Sequence, residues 1–189
     1  MKPVIPRPVL LLGDPRLRIN ASPVADVSDS VFLSEAEELH ERLTLFRQGN
    51  GFGRAIAAPQ IGIAKRFISL NLDGVRSTLV NPVISWASRE RFSMWDDCMS
   101  FPNILVRLER HCSVSVVGID ERGRHVQHEK LPRDLSELLQ HEIDHLDGIL
   151  ALDRAIDKES IIERNAFNSM PEHFRKQVDY VIRSYKILP

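Results

Sequence analysis

The stretch Gln140-His141-Glu142-Ile143-Asp144-His145 constrains this chain more than any other. It contains H-E-x-x-H. On an α-helix, residues four apart lie one turn above each other on the same face. His141 and His145 can then aim imidazole nitrogens at one metal ion, with Glu142 beside them to handle a proton on water. Such a pattern demands a helix, a third ligand and an enclosed pocket. The rest of the chain has to supply them.

Asp134-Leu135-Ser136-Glu137 reads as the helix start, with Asp134 as N-cap and a glutamate three residues on. Gly148 marks the stop. At about 100° per residue, His141, His145, Glu142, Leu135, Leu138, Leu139 and Leu146 share one broad face. Ser136, Gln140, Asp144 and Asp147 lie away from it. The first face is therefore expected to point inward. Two imidazoles and a carboxylate among leucines are costly to bury without a partner, and a divalent cation is such a partner. Catalytic sites of this kind use three protein ligands and one water. Candidates for the third ligand are Cys98, Cys112, His40, His111, His125, His128, His173 or a distant carboxylate. Cys98 sits in the polar, turn-prone stretch Trp95–Pro102. Cys112 opens an alternating strand and reads as a small core residue. The residue types favour Cys98 and leave the choice open.

A chain of 189 residues suits one compact domain, 1–189, with a sizeable core. Its net charge of -1 gives no global field that favours nucleic acid or a membrane surface. Two cysteines are too few for a disulfide framework and fit a reducing, cytoplasmic setting. The proline-broken N-terminus lacks a signal-peptide run, and no apolar run is long enough to span a membrane. The sequon Asn20-Ala21-Ser22 has nothing else to support it.

Residues 1–27 are rich in proline and turn residues and are expected to wrap the surface. Phe32, Ala36, Leu39, Leu43 and Phe46 form one apolar stripe, so a helix is expected from about Ser30 to Gln48, stopped by Gly49-Asn50-Gly51. From Ala64 to Gly118 the pattern is β-like. Arg66–Leu72 and Ser77–Ile84 flank the turn Asp73-Gly74, and Ser113–Val116 alternates cleanly. The turn Asp120–Gly123 leads to a further strand near Arg124–Gln127. Residues 160–186 suggest a last, imperfectly amphipathic helix. Periodicity alone thus gives a mixture of helix and sheet.

Three segments resemble the signature motifs of the peptide deformylases. The family's G-x-G-x-A-A-x-Q is matched within Gly51-Phe52-Gly53-Arg54-Ala55-Ile56-Ala57-Ala58-Pro59-Gln60. Its E-G-C-L-S is matched by Asp96-Asp97-Cys98-Met99-Ser100, and its Q-H-E-x-D-H in full by Gln140–His145. Gly13–Arg18 with Ala21 and Pro23-Val24, and Leu146–Gly148 with Asp153-Arg154, are also similar to family segments. The resemblance runs from about Val9 to Arg154.

It implies an α+β fold in which β-sheets surround the H-E-x-x-H helix. It implies Cys98, His141 and His145 as ligands of one divalent ion per chain, typically ferrous iron, with zinc, nickel or cobalt able to replace it. Glu142 is the implied base and then acid. Gln60 and the backbone N–H of Met99 are the implied oxyanion donors. Gly53 and Asp97 would lie beside the substrate, and Asp96 would pair with Arg110. The implied reaction is hydrolysis of the formyl group from N-formylmethionyl peptides, on nascent chains with the ribosome as an expected place of action, without direct nucleic-acid or membrane binding.

Two departures bear on the substrate. The first motif reads as two residues longer between Gly53 and Ala57, leaving Gly53 or Ala55 as the second glycine. Asp97 replaces glycine before the cysteine and brings a negative charge to the peptide path. These suggest an amidase for another N-acyl substrate as the alternative, with a silent, metal-stabilised binding module as a third reading.

Overall fold

The computed structural model describes residues 6–182. Two antiparallel sheets enclose one helix. β1 (Ala55–Ala57), β2 (Phe67–Leu72), β3 (Val75–Ala87), β6 (Val114–Ile119) and β7 (His125–His128) form a five-stranded sheet in the order β1-β2-β3-β6-β7. β4 (Arg91–Asp97), β5 (Ile104–His111) and β8 (Ile161–Glu163) form a three-stranded sheet in the order β4-β5-β8. The expected α+β class is what the chain adopts.

α1 (Ser30–Asn50) buries the expected stripe of Phe32, Ala36, Leu39 and Leu43 together with His40, and exposes its other side. Asp29 caps it by accepting from the Val31 N–H at 3.2 Å. It runs two residues past the expected end, and Gly51 closes it in the left-handed region at φ 75°. That placement removes Gly51 from the first motif. Counted back from Gln60, Gly53-Arg54-Ala55-Ile56-Ala57-Ala58-Pro59-Gln60 fits the eight-residue pattern without insertion. Ala55 stands at the second glycine, already inside strand β1. The lengthened loop expected from the sequence is therefore absent.

α2 (Arg133–Leu146) carries H-E-x-x-H. Leu138, Leu139, Ile143 and Leu146 pack on Ala55, Ala57, Ile68, Val114 and Val116. The alanines of β1 present little bulk to the helix. Two expectations fail here. The N-cap is Pro132, not Asp134, and no side chain caps the helix. Ser136, Gln140 and Asp144 are buried, not turned to solvent. Gln140 donates to the His111 carbonyl at 3.0 Å and accepts from its N–H at 3.0 Å. Ser136 Oγ donates to the same carbonyl at 2.9 Å. The polar side of α2 is thus covered by the end of β5, and the helix is enclosed all round.

The remaining segments also differ from a periodicity reading. The described part of the N-terminal segment is more than a surface wrap. Leu10 and Leu17 are buried, and the backbone N–H groups of Leu10 and Leu12 donate to the carbonyls of Gln60 and Ser100, at 2.7 and 2.8 Å. Among the described residues, no continuous helix follows residue 160. The chain forms β8, then α3 (Arg164–Ser169) and α4 (Pro171–Arg175), then an irregular stretch, and residues 183–186 lie outside the described part. Phe167, Phe174 and Val178 gather around Trp95 and Leu105. They pack on the outer sheet, not along one helical stripe. No helix among the described residues is long and apolar enough to cross a membrane.

Candidate metal centre and active site

β4 ends at Asp97 and delivers Cys98 into a tight turn, where the Phe101 N–H donates to the Cys98 carbonyl at 3.1 Å. α2 brings His141 and His145 to the same point. Cys98 Sγ lies 3.2 Å from His145 Nε2, and the two Nε2 atoms are 3.1 Å apart. Among the described residues, these three are the group able to hold a metal ion, and all are buried. The other candidates lie elsewhere. Cys112 is half-buried against the Leu10–Leu108 cluster. His40 pairs with Thr78, His111 with the Ser88 carbonyl, and His173 with Gln177. His125 and His128 are exposed on β7.

The donor set fits a divalent cation. Asp96 Oδ2 accepts from His141 Nδ1 at 2.9 Å, which turns the Nε2 lone pair toward Cys98 and His145. A thiol sulfur and two imidazole nitrogens then converge in a buried space, an arrangement that repels itself unless positive charge sits between them. The basicities agree. Burial opposes a proton on His141, but Asp96 and Cys98 outweigh it and raise its pKa well above the usual value. Burial and the charge on His141 drive His145 the other way.

A buried ion-pair chain supports the Cys98–His141–His145 cluster from behind. Burial opposes the charge on Asp96, yet His141 and Arg110 hold its carboxyl well below the usual range. Arg110 donates to Asp96 at 3.1 Å and also bonds Asp144, which Arg154 clasps from its far side. The expected Asp96–Arg110 pair is therefore present. Asp144 and Arg154 were not anticipated as its extension, although both fall in motif segments. A guanidinium shared by two carboxylates fixes the geometry of β4, β5 and α2 together.

Three further residues, Glu142, Gln60 and Met99, line the same cavity as Cys98 and His141. Glu142 is buried and its Oε2 has no hydrogen-bond partner. Burial, opposed by His141, pushes its pKa up to about 7. A carboxyl of that strength suits both accepting and returning a proton near neutrality. Gln60 lies in the 3-10 turn Ala58–Ile61, and its Oε1 accepts from the Ala57 N–H at 2.9 Å. That bond fixes the amide, so Nε2 points to Cys98 Sγ at 3.5 Å and Ser100 Oγ at 3.3 Å. Met99 follows directly after Cys98, and its side chain is buried against the α1 core. Gly53 has φ 114°, and that conformation calls for glycine; a Cβ there would sit 2.7 Å from Met99 Cε, the movable end of a flexible side chain.

Beside these runs a cavity of about 660 Å³ lined by both sheet edges, α2 and the C-terminal segment. Its lining carries a pair that sequence reasoning missed. Glu137, one turn before His141, is bonded by Arg54, which also donates to the Asp134 carbonyl at 2.9 Å. Asp97 lines the outer part of the cavity, but its charge is met by Arg164 at 2.8 Å.

Comparisons with known proteins agree with this arrangement. Residues 6–160 match the family described as polypeptide deformylase. A peptide deformylase of Thermotoga neapolitana is 36% identical over 146 residues, covering 77% of this chain and 85% of that protein. One from a Parafrankia species is 40% identical over 156 residues, covering 82% and 80%. The crystal structure of the Thermotoga maritima peptide deformylase superposes with a TM-score of 0.73 at 32% identity, over 80% of this chain and 99% of that one. A Met-Ala-Ser-bound deformylase from Acinetobacter baumannii gives 0.70 at 28% identity, over 79% and 98%. Fold, motif order and sequence identity converge, and the chain belongs to the polypeptide deformylase family.

Proposed function

We propose that this chain is a metal-dependent amide hydrolase that removes the formyl group from N-formylmethionyl peptides and releases formate. One observation carries the reading: three soft and borderline donors converge on one buried point, the Gln60 amide is directed at the Cys98 sulfur, and Glu142, with an unpartnered carboxylate oxygen, lines the same cavity. A divalent ion bound by Cys98, His141 and His145 would supply the Lewis acidity that makes a water nucleophilic and polarises the formyl carbonyl. The protein's own residues do the rest. Glu142 takes the water's proton at a carboxylate oxygen and returns it to the departing amine nitrogen. Gln60 Nε2 and the Met99 backbone N–H donate to the oxygen that gains charge as the carbonyl carbon becomes tetrahedral. Asp96 and Arg110 hold His141 in one tautomer throughout. Gly53 supplies the positive φ that the chain needs beside Met99, and Asp97 borders the path of the peptide.

The thiolate and the two imidazoles suit ferrous iron, and also zinc, nickel or cobalt. Ferrous iron is the metal we assign, by resemblance to the family. Nascent chains leaving the ribosome are the natural source of formylated N-termini, and the two free cysteines suit the cytoplasm. One folded unit, residues 1–189, belongs to the same reading.

The test compares formyl-Met-Ala-Ser with its acetylated analogue on metal-loaded enzyme, under anaerobic conditions. Formate release faster than acetate release by about a hundredfold is expected, because one added methyl at a fitted reacting centre costs about 10–200-fold. Equal rates would point to a broader N-acyl amidase.

A further inference from the structure

Arg164 lies beyond the part of the chain that matches the family, residues 6–160, yet it enters the catalytic cavity. Its Nε donates to the Pro102 carbonyl at 2.6 Å and its Nη2 to Asp97 Oδ2 at 2.8 Å. Its guanidinium also lies over the Phe52 ring, 5.2 Å from the centroid. Phe52 belongs to the rim before β1, Asp97 to the rim at the end of β4. One side chain from α3 therefore bridges the two sides of the cavity mouth.

The pair is poorly explained as a stabilising contact. The side chains of Arg164 and Asp97 are 30% and 28% exposed, and ion pairs this open to water contribute about 0–1 kcal/mol. Its position is more telling. Asp97 is the residue next to Cys98, so its Cα lies about 3.8 Å along the chain from that of a metal ligand. Arg54 and Glu137 line the same cavity and are far less exposed than Asp97 and Arg164, at 12% and 2%. A peptide whose formyl carbon sits at the metal point must run outward past the rim that Phe52, Asp97 and Arg164 form.

We propose that Asp97 and Arg164 are a coupled pair of specificity determinants that contact the substrate peptide downstream of its formylated residue. This rests on the deformylase reading above. Arg164 cancels the charge that Asp97 brings to the peptide path, so the cleft accepts acidic and basic side chains there alike. Removing one partner exposes the other to the substrate. An uncompensated charge in a half-enclosed cleft acts at an effective dielectric well below that of water, enough to shift selectivity by about tenfold.

The test uses formyl-Met-Ala-Ser and peptides with Lys or Glu at the second or third position, on full-length, metal-loaded enzyme. The wild type is expected to show Lys and Glu values of kcat/KM within about threefold of each other. Arg164→Leu should raise the Lys-to-Glu ratio about tenfold, and Asp97→Gly should lower it about tenfold. The double variant should return to the wild-type ratio, and Arg164→Lys should keep it. The changes should lie in KM and shrink in 1 M salt.

If both single variants keep the wild-type ratio, or lose kcat equally on every peptide, the pair is merely structural and the proposal fails. Calorimetric Kd values for the same peptides, on a Glu142→Ala background, read the ratio without turnover. Absence of formate from every peptide would instead sink the deformylase reading, while the binding ratio would still decide the role of the pair.

Discussion

The two long helices of this protein are used in opposite ways. α1 is 21 residues long and buries one stripe, with its remaining faces in water. α2 is 14 residues long, and every residue from Ser136 to Leu146 is buried, including Gln140, Asp144, Glu137 and the three H-E-x-x-H side chains. A helix that is only scaffold can leave its polar residues to solvent. A helix that carries a candidate metal site inside the protein must satisfy most of its polar residues with other polar residues, and α2 pairs Glu137, Asp144 and Gln140 with Arg54, Arg110, Arg154 and the backbone at His111, while Glu142 Oε2 and His145 Nδ1 have no partner. Enclosure makes the surrounding ion pairs indispensable.

The sharpest way to break this comparison is at Arg110. Arg110→Met removes the cation shared by Asp96 and Asp144 and leaves buried carboxylates short of a partner. The expected loss is about 3–5 kcal/mol by urea unfolding. Metal affinity should also fall about 10–100-fold, because Asp96 would no longer be held against His141. A loss below 1 kcal/mol with unchanged metal affinity would show that α2 tolerates an unsatisfied polar side.

Leu43→Ala on α1 should behave differently. It opens a cavity beneath a fully buried side chain and is expected to cost about 3 kcal/mol. Metal content and kcat below the melting temperature should stay as in the wild type. A matching fall in metal affinity would couple α1 to the site.

The smallest effect is on acid stability. The folded-state pKa of Asp96 lies below its ordinary 3.8. Its stabilisation is therefore fully present above pH 3.8 and drains away as pH falls through the lower folded value. Asp96→Asn should flatten the acid limb of a stability-against-pH curve below pH 3.8. An unchanged limb in that variant would assign acid unfolding to other carboxylates.

The same contrast explains what the sequence revealed. The α1 stripe was legible because water on one side and core on the other imprint a periodicity. The pairing of His141 and His145 was legible because residues four apart on a helix share one face. The burial of Ser136, Gln140 and Asp144 was not, since helical periodicity assumes that polar residues face water, and their partners lie far away in sequence. β4 and β5 were blurred for a related reason. Asp96 and Arg110 occupy inward positions where an alternating pattern expects apolar side chains. The third ligand was open on residue type alone. The convergence of β4 and α2 that brings Cys98 within 3.2 Å of His145 is a property of the fold. Gly51 was misassigned because a helix cap and a motif glycine look alike in sequence. The C-terminal segment was misread because Phe167, Phe174 and Val178 pack around Trp95 rather than along one helical stripe.

The most direct measurement is anaerobic formate release from formyl-Met-Ala-Ser as metal-free enzyme is titrated with ferrous ion, for the wild type and Glu142→Ala side by side. Activity should rise to a plateau at one equivalent of metal and vanish on chelation. The variant should bind the same single equivalent yet turn over about 10³-fold more slowly. Formate release that ignores chelation, or a Glu142→Ala rate equal to the wild type, would contradict the assignment of this site.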